Sequence, residues 1–410
     1  MRVQENGIQI VPGGICAPKG FTASGVHCGI RKNQTKKDLA LIVSEQRASA
    51  AAVYTQNRVQ GAPLTVTREN LTDGYARAVI CNSGIANTCS AGGMEAARAM
   101  CALVAEYTGI PAEDVIVAST GVIGQPLPLG VIQSAMPALT AALSADGEAA
   151  AQAILTTDTM KKESAVEFQL GGKICRLGGI AKGSGMIHPN MATLLSFLTT
   201  DAAVSPEMLQ KALSDVVKDS YNMISVDGDT STNDMVTILA NGMAGNAPIT
   251  AEGEDYQYFV EALSTAAVHL SRVLARDGEG ATKLLECRVS GAADEDSARA
   301  AAKAVIASNL LKAAMFGADA NWGRVLCALG YGAPEAAADQ ADVSFASAAG
   351  EIMVCQNGMG LPFDEATAKQ ILLEQEIQIL IELHSGDCGA AAWGCDLTYD
   401  YVKINGDYRS

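Results

Sequence analysis

Apolar side chains recur at helical spacing in several stretches of this chain. Over 95–107, Ala96, Met100, Leu103 and Val104 fall on one face, as in a helix that buries one side. The pattern continues over 130–143 and 147–155. Ser205-Pro206-Glu207 supplies a capping hydroxyl, a proline at the first helical position and an acid in the first turn, so it predicts a helix start. Further helices are expected over 254–275, 296–314 and 364–375.

Strand signals lie between these stretches. Residues 77–81 and 114–118 are short apolar runs, and 376–383 and 396–404 alternate with period two, as half-buried antiparallel strands do. Helices and strands interleave without a βαβ rhythm. The fold class expected is therefore α+β: two lobes of layered antiparallel sheets sandwiched by helices, with a smaller C-terminal portion.

Composition narrows the function classes. With 410 residues, 49% hydrophobic and 18% charged, the chain is neither a disordered polyelectrolyte nor a fibrous rod. Residues 1–192 carry a balance of +2 and residues 193–410 one of −18. No basic cluster offers a phosphate-binding face, which disfavours nucleic acid and leaves small cationic or zwitterionic substrates. The first residues lack the charged and apolar regions of a signal peptide, and no run approaches the ~18 apolar residues of a membrane span, so a cytoplasmic location is expected. Eleven scattered cysteines without a C-x-x-C are expected to be reduced, buried thiols. The four histidines lie far apart, and no metal site is expected. Residues 227–238 start like a calcium loop but place Thr232 and Ile238 where glycine and glutamate are required; a polar structural loop is expected there.

Chemistry concentrates at 181–201, where a Gly-rich polar loop runs into an apolar strand with Thr193 at the junction. An N-to-O acyl shift there would let the Thr193 hydroxyl attack the Ala192 carbonyl, and hydrolysis of the ester would free an amine on Thr193. With a reference pKa of ~7.7–8.0, that amine can act as general base for its own hydroxyl, an arrangement that needs no histidine. By themselves these residues also fit an ordinary loop-to-strand junction. Thr120-Gly121 also fits a plain glycine turn after the strand at 114–118, and Lys182 and Glu279 fit solvated loop residues.

The run from Lys182 to Asp201 resembles the self-cleavage segment of the ornithine acetyltransferase family of arginine biosynthesis, also called bifunctional glutamate N-acetyltransferases. The resemblance extends over nearly the whole chain. Asn82 to Asn87, Ser119 to Gly124, Thr156 to Thr159, Ser225 to Asp234, Asn321-Trp322-Gly323-Arg324 and Tyr401 to Ser410 all occur in family order.

It implies a self-cleaving N-terminal-threonine acyltransferase fold, cut between Ala192 and Thr193 into an α chain (1–192) and a β chain (193–410) that assemble as α2β2. It also implies acetyl transfer from N2-acetyl-L-ornithine to L-glutamate through acetyl-Thr193. Thr120 and Gly121 would form the oxyanion hole, and Thr156, Lys182, Thr193, Glu279, Asn405 and Ser410 would bind substrate. Family members commonly end in threonine; Ser410 keeps the hydroxyl. Lys182 suits a substrate carboxylate and Glu279 a substrate ammonium. No cofactor is implied. Acetyl-CoA as a second donor is left open, with Arg324 a candidate for its phosphate or pantetheine part, although the Asn321 to Arg324 motif suits a structural role better. Two alternatives stand beside this reading: a related self-cleaving aminopeptidase or amidase, and a non-enzymatic amino-acid-binding protein.

Overall fold

A computed structural model describes residues 7–188 and 194–406. It divides into two compact units. One comprises Met1–Gly183, Asn190–Lys218 and Thr230–Leu270; the other comprises Ser184–Pro189, Asp219–Asp229 and Ser271–Ser410.

The sheet of the first unit contains β1 (Gln9–Ile10), β2 (Phe21–Val26), β3 (Leu39–Tyr54), β4 (Tyr75–Ile85), β5 (Val115–Val122), β6 (Lys162–Leu170), β7 (Lys173–Lys182) and β8 (Leu195–Thr200). After β9 (Ile224–Ser225), which joins the other sheet, it is completed by β10 (Met235–Ala240). The strand order is β1-β6-β7-β8-β10-β3-β4-β5, with β2 also on β3. Gly171 and Gly172, both at positive φ, make the two-residue turn between β6 and β7, a geometry that matches strand twist.

Period-two alternation serves both faces of this sheet. Along β4, Ala78 and Ile80 join a cluster with Met100 and Val104 of helix Gly93–Thr108 and Ile132 and Met136 of helix Leu129–Ala141. Val79 and Cys81 join the opposite cluster, which includes Phe197, Leu239 and Ala150. Ala-rich segments permit this close layering.

The sheet of the second unit runs β14-β13-β12-β15-β11-β16-β9, with β11 (Leu284–Ala292), β12 (Asp342–Ser347), β13 (Gly350–Gln356), β14 (Met359–Gly360), β15 (Glu376–Glu382) and β16 (Cys388–Cys395). The α+β class is thus observed, and most strand pairs are antiparallel. Parallel pairs also occur: β8 with β10, β4 with β5, β11 with β15 and β16 with β9. Helix Gly93–Thr108 supplies the crossover that the parallel β4–β5 pair needs.

Two expected elements are corrected. The helix expected over 296–314 is two helices, Glu295–Ala307 and Asn309–Phe316. Ser308 leaves the helical region at ψ 109° and its hydroxyl caps the next helix by accepting from Leu311 N. The strand expected over 396–404 is also absent. The strand ends at Cys395, and Tyr399–Gly406 is a helix. Asp396 is turned to the backbone N–H groups of Thr282 and Lys283, and the Thr398 hydroxyl accepts from Asp400 N, which starts the helix.

The 192/193 boundary concerns where the chain would be cut, and the packing units follow a different division. Residues beyond it supply β8 and β10 to the middle of the first sheet, flanked by β7 and β3 from the segment before it.

Candidate active site

Thr120 and Gly121 lie within the end of β5, which continues to Val122, so the expected turn is a strand terminus. They pair in register with Ser83 and Gly84 of β4. Gly121 has φ +130°, and a β-carbon there would meet the Gly84 carbonyl carbon and oxygen and Ile85 N at 2.3–2.7 Å. Only glycine fits this close backbone approach. Asn233 fixes the same region: its amide donates to Ala86 O (2.6 Å) and Ser119 O (2.9 Å), and its oxygen accepts from Thr88 Oγ1 and Thr232 Oγ1.

Lys182 is the last residue of β7, rather than part of the Gly-rich loop that follows it. It is 8% exposed, and its Nζ donates to Thr120 Oγ1 at 3.2 Å. Burial pulls its pKa below the ordinary lysine range. Asp158 opposes that fall, Lys162 adds to it, and Asp234 and Cys81 oppose it.

Asp158 organises the surroundings. Its Oδ1 accepts from Lys162 Nζ (2.6 Å) and Gly183 N (2.7 Å), and its Oδ2 from Thr156 N (2.8 Å). Burial resists ionisation of this carboxyl, but Lys162, Lys182 and these hydrogen bonds prevail and hold it below the usual carboxylate range. Thr156, Lys182 and Thr120 are thereby linked around one buried carboxylate. Asp158, Lys162 and Asn233 were not singled out from sequence. Asp158 lies inside the Thr156 to Thr159 motif and Asn233 inside the Asp227 to Asp234 loop, so the motifs carried the available signal.

In the second unit, Glu279 is 6% exposed and its carboxylate lies over Gly185, where a β-carbon would stand 2.4–2.6 Å from its atoms. Asn405 donates to Glu279 Oε2 at 2.7 Å from helix Tyr399–Gly406. Glu279 N donates to Ser184 O, and Ser184 Oγ donates to Asp277 O. Asp227 accepts from the backbone of Met186 and Ile187 and from the Tyr401 hydroxyl, the behaviour of a structural anchor. His188 Nδ1 lies 3.0 Å from Ser225 Oγ, and burial, with Lys303, pushes its pKa down to about 4. Ala192, Thr193 and Ser410 lie outside the described residues.

Asn321 caps helix Trp322–Gly332 by accepting from Arg324 N, and Arg324 donates to Leu310 O at 2.6 Å. All eleven cysteines are unpaired; six are buried as expected, whereas Cys16, Cys28 and Cys388 are half-buried and Cys89 and Cys327 exposed. Among the described residues no helix is long and apolar enough to cross a membrane.

The ArgJ family model matches residues 22–410. The chain belongs to the ArgJ family. That membership makes it an enzyme of arginine biosynthesis. It is 51% identical over 401 residues to the arginine biosynthesis bifunctional protein ArgJ of Symbiobacterium thermophilum, covering 97% of this chain and 99% of the relative. A relative of the same name from Caldanaerobacter subterraneus is 50% identical over 405 residues, covering 98% and 100%. A crystal structure of the protein so named from Bacillus halodurans is similar at 44% identity and a TM-score of 0.48, over 51% of this chain and 96% of that one.

Proposed function

We propose that the enzyme transfers an acetyl group from N2-acetyl-L-ornithine to L-glutamate through an acetyl ester on Thr193, formed after it has cut its own chain between Ala192 and Thr193. The observation that carries this reading is family membership across almost the whole length, at about half identity. The obligatory glycine at 121, beside a threonine bonded to a buried lysine, supports the same chemistry.

In maturation the Thr193 hydroxyl adds to the Ala192 carbonyl, the peptide C–N bond breaks, and water hydrolyses the ester. This leaves a carboxylate on Ala192 and an amine on Thr193. In turnover that amine takes the hydroxyl proton as Thr193 Oγ attacks the acetyl carbonyl. Thr120 Oγ1–H and Gly121 N–H stabilise the oxyanion. The amide C–N bond breaks, the proton passes to the departing amine, and ornithine leaves. Glutamate's amine then attacks the ester, forming N-acetylglutamate and restoring the hydroxyl.

Thr156, Lys182, Glu279, Asn405 and Ser410 complete the substrate-binding set, with the Glu279 carboxylate matched to a substrate ammonium. The cut chains assemble as α2β2. Acetyl-CoA is a second donor in the bifunctional form of this reading, matching the word bifunctional in the relatives' names.

Initial rates at several concentrations of both substrates should give parallel lines, and N-acetylornithine alone should add ~42 Da to the fragment beginning at Thr193. Intersecting lines without an adduct would indicate direct transfer. Acetyl release to water, independent of glutamate, would indicate an amidase.

A further inference from the structure

We propose that Asp158 is a positioning residue for the oxyanion hole: by keeping Lys182 charged, it makes the Thr120 hydroxyl an acceptor from lysine and so leaves that hydroxyl's proton for the transition state. The inference rests on the acetyl-transfer reading above and gives Asp158 and Lys182 a part in it beyond substrate contact.

A threonine hydroxyl has one proton. An ammonium can only donate, so at 3.2 Å a charged Lys182 obliges Thr120 Oγ1 to accept, and the hydroxyl proton is free to point at a developing oxyanion. A neutral amine can accept, and Thr120 would then spend its proton on Lys182. Deprotonation of Lys182 thus removes one oxyanion donor without moving a heavy atom. Loss of such a donor typically costs ~10²–10³ in rate.

The groups around Lys182 set which form exists. Lys162, on neighbouring β6, is a second buried cation that works against the charged form, as does burial itself. Cys81 on β4 favours it, but burial pushes that thiol up to about 12. Asp234, just before β10, also favours it, but burial raises its carboxyl well above the usual range, and its Oδ2 has no hydrogen-bond partner among the described residues. Asp158 is the neighbour held ionised by design: Lys162 Nζ, Gly183 N and Thr156 N all donate to it. One carboxylate therefore offsets two buried cations and steadies the backbone at the end of β7.

The test is the acetylation half-reaction, with N-acetylornithine and no glutamate. Adduct formation is followed by intact mass, per mole of cut chain, as a function of pH. Titration of the Thr193 amine should set an acid limb near ~8, and deprotonation of Lys182 an alkaline limb. Ionisation of the donor itself is common to all variants. Asp158→Asn should move the alkaline limb down by about one pH unit or more, since an adjacent opposite charge is typically worth ~1–3 units. Lys182→Arg should move it beyond the measurable range, because guanidinium stays charged. Thr120→Ala should lower the plateau and lose the limb, having no hydroxyl to redirect, whereas Thr120→Ser should keep it. An unmoved limb in folded Asp158→Asn overturns the role given to Asp158; should that variant fail to fold, Asp158→Glu takes its place, with a displaced limb expected from the altered reach of the charge and an unmoved limb overturning the role. An unmoved limb in Lys182→Arg and Thr120→Ala overturns the proposal while leaving acetyl transfer intact. Absence of any adduct in the unaltered enzyme strikes the acetyl-transfer reading itself.

Discussion

Gly121 and Gly84 face each other in register on parallel strands, both at positive φ (+130° and +103°), with no space for a side chain at either. This pairing sets the direction of the Gly121 N–H. Gly121→Ala forces the backbone of one strand away, at a cost of ~1–3 kcal/mol for the strained conformation before the clash is counted. The expected result is a fall in kcat of ~10²-fold or more together with a lowered Tm. Full activity in this variant would remove the Gly121 N–H from the oxyanion hole.

The buried pair of Asp158 and Lys162 makes a separate prediction about stability. Lys162→Met leaves the carboxylate without its 2.6 Å partner and should cost ~3–5 kcal/mol in urea unfolding.

Acid sensitivity follows with a definite sign. The folded-state pKa of Asp158 lies below its unfolded value of ~3.9. Its stabilisation is therefore complete above that value and drains away as the pH falls beneath it. Asp158→Asn should lose this component, so urea midpoints of parent and variant should stay apart down to about pH 5 and then draw together progressively as the pH is lowered further toward about pH 3. Curves that stay parallel would contradict the assignment.

Gly185 leaves no room beside Glu279, since a β-carbon would approach both carboxylate oxygens to 2.4–2.6 Å. Gly185→Ala should displace the carboxylate and raise KM for N-acetylornithine by ~10-fold or more, the scale of one charge-assisted hydrogen bond, with little change in Tm. An unchanged KM would exclude Glu279 from recognition of the donor.

Thr193→Ala should yield one uncut, inactive chain, and Thr193→Ser should still cut, more slowly. Two bands on a denaturing gel of the alanine variant would show that another group performs the cleavage.

Much of this molecule was legible from residue order. The helix start at Ser205-Pro206-Glu207 and the cores of β4 and β5 are visible because apolar spacing and capping chemistry are local. The C-terminal segment was misread because Leu397, Tyr399 and Tyr401 alternate as in a strand. Asp396 and Thr398 are committed to long-range and capping hydrogen bonds instead, which local spacing does not encode. Likewise, β16 is hidden in the small residues Gly389 to Ala392. At the site, resemblance supplied Thr120, Gly121 and Lys182. Asp158, which joins Thr156, Lys162 and Gly183, becomes visible only when β6 and β7 are paired.

The placement of β8 dictates an order of events. This strand is hydrogen-bonded to β7 on one side and β10 on the other, and β10 in turn to β3. A polypeptide severed before it folded would have to insert the β8–β10 pair between β7 and β3 of another molecule. A polypeptide severed afterwards has nothing to reassemble. On the proposed reading, the cut at 192/193 would then be a finishing step performed on a completed architecture.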